Sequence, residues 1–215
     1  MKRLIFTLFV LLAGNQLFAQ NTMSDLFNGK ARLTFLGLDF TQSKYIGRAG
    51  FMDPVAIKNQ HMVSWNNLIE FEPKKFSLQK IFNLKDDQYA SKVEDMVTLN
   101  KTANVEGNII ADAYEISEDQ VKKSVAKYSL SEKSGIGIVY IVESLFKAPD
   151  DSKEKSAMTA WVTFIDLSSK KVLYTEKVQG KAGGIGFRNF WAGGVYQINK
   201  EIESNLYKKW SKSFK

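Results

Sequence analysis

Gly135-Ile136-Gly137-Ile138-Val139-Tyr140-Ile141-Val142 is apolar on both parities and rich in β-branched residues. A strand with one wet face alternates polar and apolar; a strand without a polar parity is covered on both sides. This run therefore predicts the central strand of a sheet with packed layers above and below it. Ala31 to Phe40 repeats the pattern, with Leu33 and Phe35 on one parity and Leu36, Leu38 and Phe40 on the other.

Downstream of the central run, Met158 to Leu167 reads as a third strand, Ser168-Ser169-Lys170 as a turn, and Lys171 to Gln179 as its return. In the return, Lys171, Thr175, Lys177 and Gln179 share one parity and Val172, Tyr174 and Val178 the other. One wet face places this strand toward the sheet edge, and the hairpin makes the sheet mixed. From Phe187 the period becomes helical: Trp191, Val195, Ile198, Ile202, Leu206 and Trp210 form one stripe, with lysines crowded toward the C-terminus as the helix dipole favours.

Upstream, Asp53-Pro54 is a helix start, with Asp as N-cap and Pro at the first position. Val55, Met62, Trp65, Leu68 and Ile69 make its apolar stripe, and Pro73 stops it. Ser77 to Phe82 reads as a helical turn, Lys85 to Lys92 as loop, and Val93 to Leu99 and Gly107 to Ile116 as short strands. Asn100-Lys101-Thr102 fits a glycosylation sequon, too common a pattern to carry weight. Ser117-Glu118-Asp119-Gln120 is a capping box opening a helix with Val121, Val125 and Tyr128 inward.

The first 19 residues stand apart. Met-Lys-Arg, a short apolar run and a small residue at Ala19 make a cleavable signal peptide, with Gln20 the alternative cleavage point. The run is too short to span a bilayer, which takes about 20 residues. The expected organisation is signal peptide 1–19, flexible leader 20–30, and one α/β domain at 31–215. That domain has three layers, a mixed sheet of about five strands, a C-terminal hairpin and a long C-terminal amphipathic helix. Export places the chain in the periplasm.

The chain has no cysteine among its 215 residues. This excludes a disulfide framework, a thiol nucleophile, a sulfur-based zinc site and the acylated cysteine of a lipoprotein. Formal charge is +7, or +5 without Lys2 and Arg3. The cations are mostly lysines and are dispersed, which argues against nucleic acid as a partner and leaves peripheral membrane association open.

The candidate binding stretch is Gly180 to Gly194, which holds six of the 14 glycines. Lys181, Gly183, Gly184, Gly186, Arg188 and Asn189 could hold a carboxylate or phosphate against the N-terminus of the last helix. The spacing is neither a Walker loop nor a dinucleotide fingerprint. The competing reading makes the glycines a joint that lays Phe187, Phe190 and Trp191 across the sheet, and it is favoured because buried aromatics dominate core energetics. His61 is the only histidine, so it makes neither a multi-histidine metal site nor a triad. The acids at Pro149-Asp150-Asp151 lack the ligand alternation of a calcium loop. A hydrolase would need scattered acids such as Asp39, Asp112, Glu143 and Asp166 to converge. No catalytic residue, metal site or cofactor is expected.

The tail from Ala160 to Ile202, with "FIDLSSKKVLY" at 164–174 and "GKAGGIGFRNFWAGG" at 180–194, resembles exported α/β accessory proteins of Gram-negative envelopes. The superfamily includes the periplasmic domains of the curli-secretion lipoprotein and of penicillin-binding-protein activators, and the N-terminal domain of the Tol-system β-propeller protein. The likeness lies in element order and in a late hairpin feeding a C-terminal helix. It implies a three-layer α/β domain that binds envelope proteins and catalyses nothing. This chain departs from the lipoprotein members in lacking the acylated cysteine. The expected function is an exported, non-catalytic accessory or interaction module, with small-ligand or anion binding at 180–194 and hydrolysis as the alternatives.

Overall fold

The computed structural model describes residues 20–47 and 50–215; the predicted signal segment lies outside them. The two-sided run becomes β5 (Ile136–Phe146), buried along all but its last residue. Around it lie β1 (Leu33–Asp39), β2 (Lys44–Ile46), β3 (Tyr89–Ser91), β4 (Ile109–Ile110), β6 (Ala157–Asp166) and β7 (Lys171–Lys181).

The sheet is mixed and has seven strands, more than the five expected. The pairing explains the difference. One edge of β5 is taken by β6, antiparallel along its whole length. The other edge is shared: β1 runs parallel to Ile136–Ile141 and β2 parallel to Ser144–Phe146. β1 and β2 are thus one interrupted strand, as are their outer neighbours β3 and β4. Beyond β6 lies β7, antiparallel and paired with nothing else.

The interruption is a turn in which Ser43 N donates to Phe40 O. β3 pairs β1 only as far as Phe35, and two buried amides satisfy the β1 backbone beyond it. Asn66 Oδ1 accepts from Leu38 N at 2.8 Å, Asn100 Oδ1 accepts from Phe40 N at 2.8 Å, and both amide groups donate to Leu38 O. Asn100 is 2% exposed, so the sequon at that position is a structural clamp inside the fold. Buried backbone groups left unpaired would each cost about 1–3 kcal/mol.

The helices are α1 (Met23–Phe27), α2 (Pro54–Ala56), α3 (Met62–Asn66), α4 (Leu68–Phe71), α5 (Pro73–Phe76), α6 (Leu78–Ile81), α7 (Glu94–Asn100), α8 (Glu118–Ala126), α9 (Phe187–Glu201) and α10 (Tyr207–Phe214). Asp53 caps α2 through Ala56 N, and Ser117 forms the expected capping box on α8. Two π turns, Ile57–His61 and Ile202–Leu206, join α2 to α3 and α9 to α10. The first adds a residue and rotates what precedes it by about 100°, so Val55 leaves the buried stripe and is 61% exposed. The second suits the stripe Ile198, Ile202, Leu206 and Trp210. Steps of four drift off a 3.6-residue helix, and a widened turn returns them to one face, all buried.

Two expected strands and one expected loop differ. Val93–Leu99 is the helix α7, whose first-turn acids Glu94 and Asp95 weaken a strand but favour a helix N-terminus. Gly107–Ile116 contributes only the two residues of β4, and the Lys85–Lys92 loop contains β3. Residues 20–30 are no flexible leader: Thr22 caps α1, and Met23 and Leu26 are buried. Asn21 also donates to Asp166 Oδ1 from its backbone and its amide, at 3.2 and 2.9 Å.

The sheet's two faces are unequal. One carries Leu33, Phe35, Ile138, Tyr140, Val162 and Phe164 into a large aromatic core with Trp65, Trp191 and Trp210. The other carries Leu36, Val139, Ile141 and Ile165 into a smaller core with Val121, Val125 and Tyr128 of α8 and its flanks.

Candidate functional site

The glycine-rich turn closes on itself. Gly194 in α9 lies so near β6 that an added Cβ would sit 2.8 Å from Met158 Cβ, and one on Gly193 would meet the Gly183 carbonyl oxygen at 2.1 Å. The helix therefore begins before these glycines, at Phe187, and rests directly on the hairpin. Gly183 N donates to Phe190 O at 2.9 Å, so that N–H is spent. Arg188 donates from Nη2 to Glu72 Oε1 at 2.8 Å and from Nη1 to Asn189 Oδ1 at 2.9 Å, and its carbonyl accepts from Trp65 Nε1 at 2.9 Å. Gly184 and Gly186 hold positive φ, 141° and 79°. Lys181 ends β7, exposed and apart from these contacts. Of the six expected ligand-binding residues, Gly183, Arg188 and Asn189 are engaged inward.

The joint carries an aromatic floor. Phe187 packs edge-on to Phe51 and Trp191, with Phe51 stacked on Trp191 at 5.4 Å. His61 lies between Trp65 at 5.6 Å and Phe187 at 4.8 Å. Its burial, with Arg188's charge adding and Asp53's opposing, holds its pKa below the ordinary histidine value.

The four acids do not converge. Asp39 Oδ1 accepts from Thr41 N at 2.8 Å and Thr41 Oγ1 at 2.6 Å, and Oδ2 accepts from Tyr128 OH at 2.5 Å. Burial and the Asp39 charge push the Tyr128 phenol well up. Asp112 is exposed beyond β4. Asp166 binds Ser168, Ser169 and Asn21; burial raises its pKa, but those hydrogen bonds prevail and hold it at about 2.

Glu143 differs, because it borders open space. α8 covers the smaller core over only part of that face, and past its edge the face forms a cleft of about 540 Å³. The walls include Ile46, Tyr114, Phe146, Thr159, Lys177 and Gln179. Glu143 follows the apolar run of β5 and its side chain is 3% exposed. Its Oε2 accepts from Ile116 N at 2.9 Å and Trp161 Nε1 at 3.1 Å, and lies 3.0 Å from Lys177 Nζ. Its Oε1 has no hydrogen-bond partner among the described residues. Lys177 is also 3.5 Å from Glu115 and 5.4 Å from the Trp161 ring centroid. On the far side, Lys44 lies 5.6 Å over Tyr114 and bonds Asn108 Oδ1 at 2.7 Å. Burial, and then the Glu143 charge, raise the Tyr114 phenol.

Two N–H donors and the Lys177 ammonium converge on one oxygen of the Glu143 carboxylate, which fixes its orientation beside the open space. The lining holds three acids, Glu115, Glu143 and Glu154, against one lysine, a negative recess in a basic chain. Among the described residues no group of three or more His, Cys, Asp or Glu could hold a metal ion. Sequence reasoning found Glu143 and the wet parity of β7 but missed Tyr114, Glu115 and Trp161. The parities of Trp161 and Lys177 were the available signal, since both point to the face opposite the aromatic core.

No family model matches the chain, and no curated protein does. Among solved structures, a neuraminyllactose-binding hemagglutinin homolog from Helicobacter pylori is similar over 90% of this chain and 91% of its own, at 12% identity and a TM-score of 0.29. The hypothetical protein CT253 from Chlamydia trachomatis is similar over 84% and 95%, at 11% identity and a TM-score of 0.32.

Proposed function

We propose that this chain is an exported, non-catalytic accessory module of the cell envelope that acts by binding another envelope protein. Its compartment is the periplasm, reached through removal of residues 1–19. The observation that carries this reading is the Glu143 carboxylate, buried and saturated on one oxygen at the floor of an open, acid-lined cleft. A carboxylate so oriented beside open space suits recognition, and the acid-lined cleft suits a lysine or arginine of the partner. The resemblance of 160–202 to periplasmic accessory domains points the same way. Nucleic acid is not a partner on this reading. No helix among the described residues is long and apolar enough to cross a membrane; on this reading any contact with a bilayer is peripheral.

A small ligand in the same cleft is the second reading, favoured by a volume inside the range of about 300–1,000 Å³ common to small-molecule sites. Anion binding at the 180–194 turn has less support, because Gly183 N–H, Arg188 and Asn189 are already bound. A hydrolase has the least, since the acids stay apart.

The test is site-directed photo-cross-linking in intact envelopes, with the photoreactive residue at Tyr114 and, as control, at exposed Lys133. One defined protein captured from position 114 alone, and lost in Glu143→Gln, supports the reading. Equal capture from both positions, or none, overturns it.

A further inference from the structure

The two edges of the sheet are built differently. On one side the outermost strands are β3 and β4, three and two residues long and separated in the chain by α7. Short, broken edges are a common protection against unwanted strand pairing. On the other side β7 runs for eleven residues, with one register shift at Leu173, and among the described residues pairs only with β6. Its outward N–H and C=O groups make no backbone hydrogen bond among the described residues.

The charge along β7 selects what can pair there. Lys171, Lys177 and Lys181 are exposed. The only acid on the strand, Glu176, is occupied by Lys209, Tyr174 and Trp210. Lys177 is held by Glu143 and Glu115, while Lys171 and Lys181 have no ion pair among the described residues. A second copy fits poorly. The antiparallel register that uses all eleven residues sets Glu176 against itself and Lys171 against Lys181, and like charges directly opposite are destabilising. Beside the start of β7 lies a groove of about 470 Å³, with Lys171, Leu173, Phe214 and Lys215 among its walls. Phe214 in turn packs edge-on to Tyr174 at 5.1 Å. The groove offers apolar seats and cations to alternate side chains of an added strand.

We propose that β7 is a docking edge for an extended acidic segment of another protein, which joins the sheet as an eighth strand with acidic side chains near Lys171 and Lys181. β7 also gives Lys177 and Gln179 to the wall of the Glu143 cleft, but the docking edge is its outward backbone, and the proposal stands whether or not that cleft binds a partner.

The probe is an acetylated, amidated peptide, Glu-Val-Thr-Val-Thr-Val-Thr-Val-Thr-Glu, whose terminal acids nine residues apart match Lys171 and Lys181 across the register shift, with its lysine-for-glutamate counterpart as control. It is titrated into the ¹⁵N-labelled chain lacking the signal segment. Expected are shifts and slowed amide exchange confined to Lys171–Lys181 and its β6 neighbours, with binding at least 10-fold weaker in Lys171→Glu/Lys181→Glu. These are exposed substitutions, and unchanged β5 amide shifts confirm the fold. No binding at millimolar peptide, equal binding of the lysine peptide, or perturbations away from β7 would overturn the proposal. So would self-association through β7 in sedimentation.

Discussion

The glycine turn and the Glu143 cleft hold the same kinds of group and use them oppositely. Each has a cation facing a carboxylate, Arg188 with Glu72 and Lys177 with Glu143, and each has a tryptophan N–H in the network. At the turn the contacts are spent on neighbouring protein groups and tie the start of α9 to Glu72 and Trp65. At the cleft the carboxylate is more deeply buried, but the space beside it is open. A glycine-rich turn before a helix marks a close approach of backbones. Whether that approach serves a ligand or a packing joint depends on where the neighbouring N–H and charged groups point. Here they point at each other.

The strongest way to break the comparison is to put a side chain into the joint. Gly193→Val would drive methyl groups into the Gly183 carbonyl, where even a Cβ would come within 2.1 Å. Overpacking should outweigh the gain of about 1 kcal/mol in helix propensity and leave a net loss of roughly 3 kcal/mol. Gly183→Ala, which faces open space, should stay within about 0.5 kcal/mol of the parent. Urea unfolding of the two variants decides. If Gly193→Val were as stable as Gly183→Ala, the turn would not be a packing joint.

At the cleft the corresponding change is Glu143→Leu. It strips the acceptor from Ile116 N–H and Trp161 Nε1–H and leaves Lys177 without its nearer carboxylate. Two buried donors without partners should cost roughly 2–4 kcal/mol, whereas Glu143→Gln keeps an acceptor and should cost about 1 kcal/mol. Equal losses for the two variants, measured by thermal melting, would mean that the donors are satisfied by water and the carboxylate is not structurally fixed.

Most of what these variants probe was legible before the fold was known, and the failures have physical reasons. The two-sided runs gave β1 and β5, the wet parity gave β7 as an edge, and the Asp53-Pro54 cap and the Ser117 capping box gave α2 and α8, because each signal is local. The strand count differs because β1 and β2 are one column broken by the turn at Phe40–Ser43, and Asn66 and Asn100, which satisfy the end of β1, lie far away in sequence. α7 was misread because Val93 to Leu99 is short enough for either period, and its acids were weighed against a strand, not for a helix start. α1 was missed because only two of its residues are buried. At the sites, composition drew attention to the glycines, yet the open cleft forms from Tyr114, Glu143, Trp161 and Lys177 on four separate segments. No local pattern joins such residues; only the parity of each strand residue hinted at a shared face.

A milder test sharpens the contrast at the cation. The Arg188–Glu72 pair is over a third exposed on both sides, so Arg188→Met should cost no more than about 1 kcal/mol. Its value lies in a second measurement, the melting temperature with added pyrophosphate. With the turn acting as a joint, the ion shifts parent and variant alike. An anion cradle would show stabilisation of the parent that Arg188→Met abolishes.

The smallest effect is the pH response of His61 at the same joint. Burial comes first among the causes that lower its folded pKa, Asp53 opposes, and Arg188 adds to the lowering. The folded chain therefore takes up this proton less readily than the unfolded chain. Its contribution is fully present above the unfolded value of about 6.5 and is lost as pH falls from there toward the lowered folded value. The urea midpoint of the parent should thus fall between pH 7.5 and pH 5.5 by more than that of His61→Phe, which keeps a ring between Trp65 and Phe187. Arg188→Met should reduce the parent's fall, because one of the charges opposing protonation is gone. If His61→Phe showed the same fall as the parent, His61 would not be enclosed by the joint, and the turn would be more open than its packing against Trp65 and Phe187 requires.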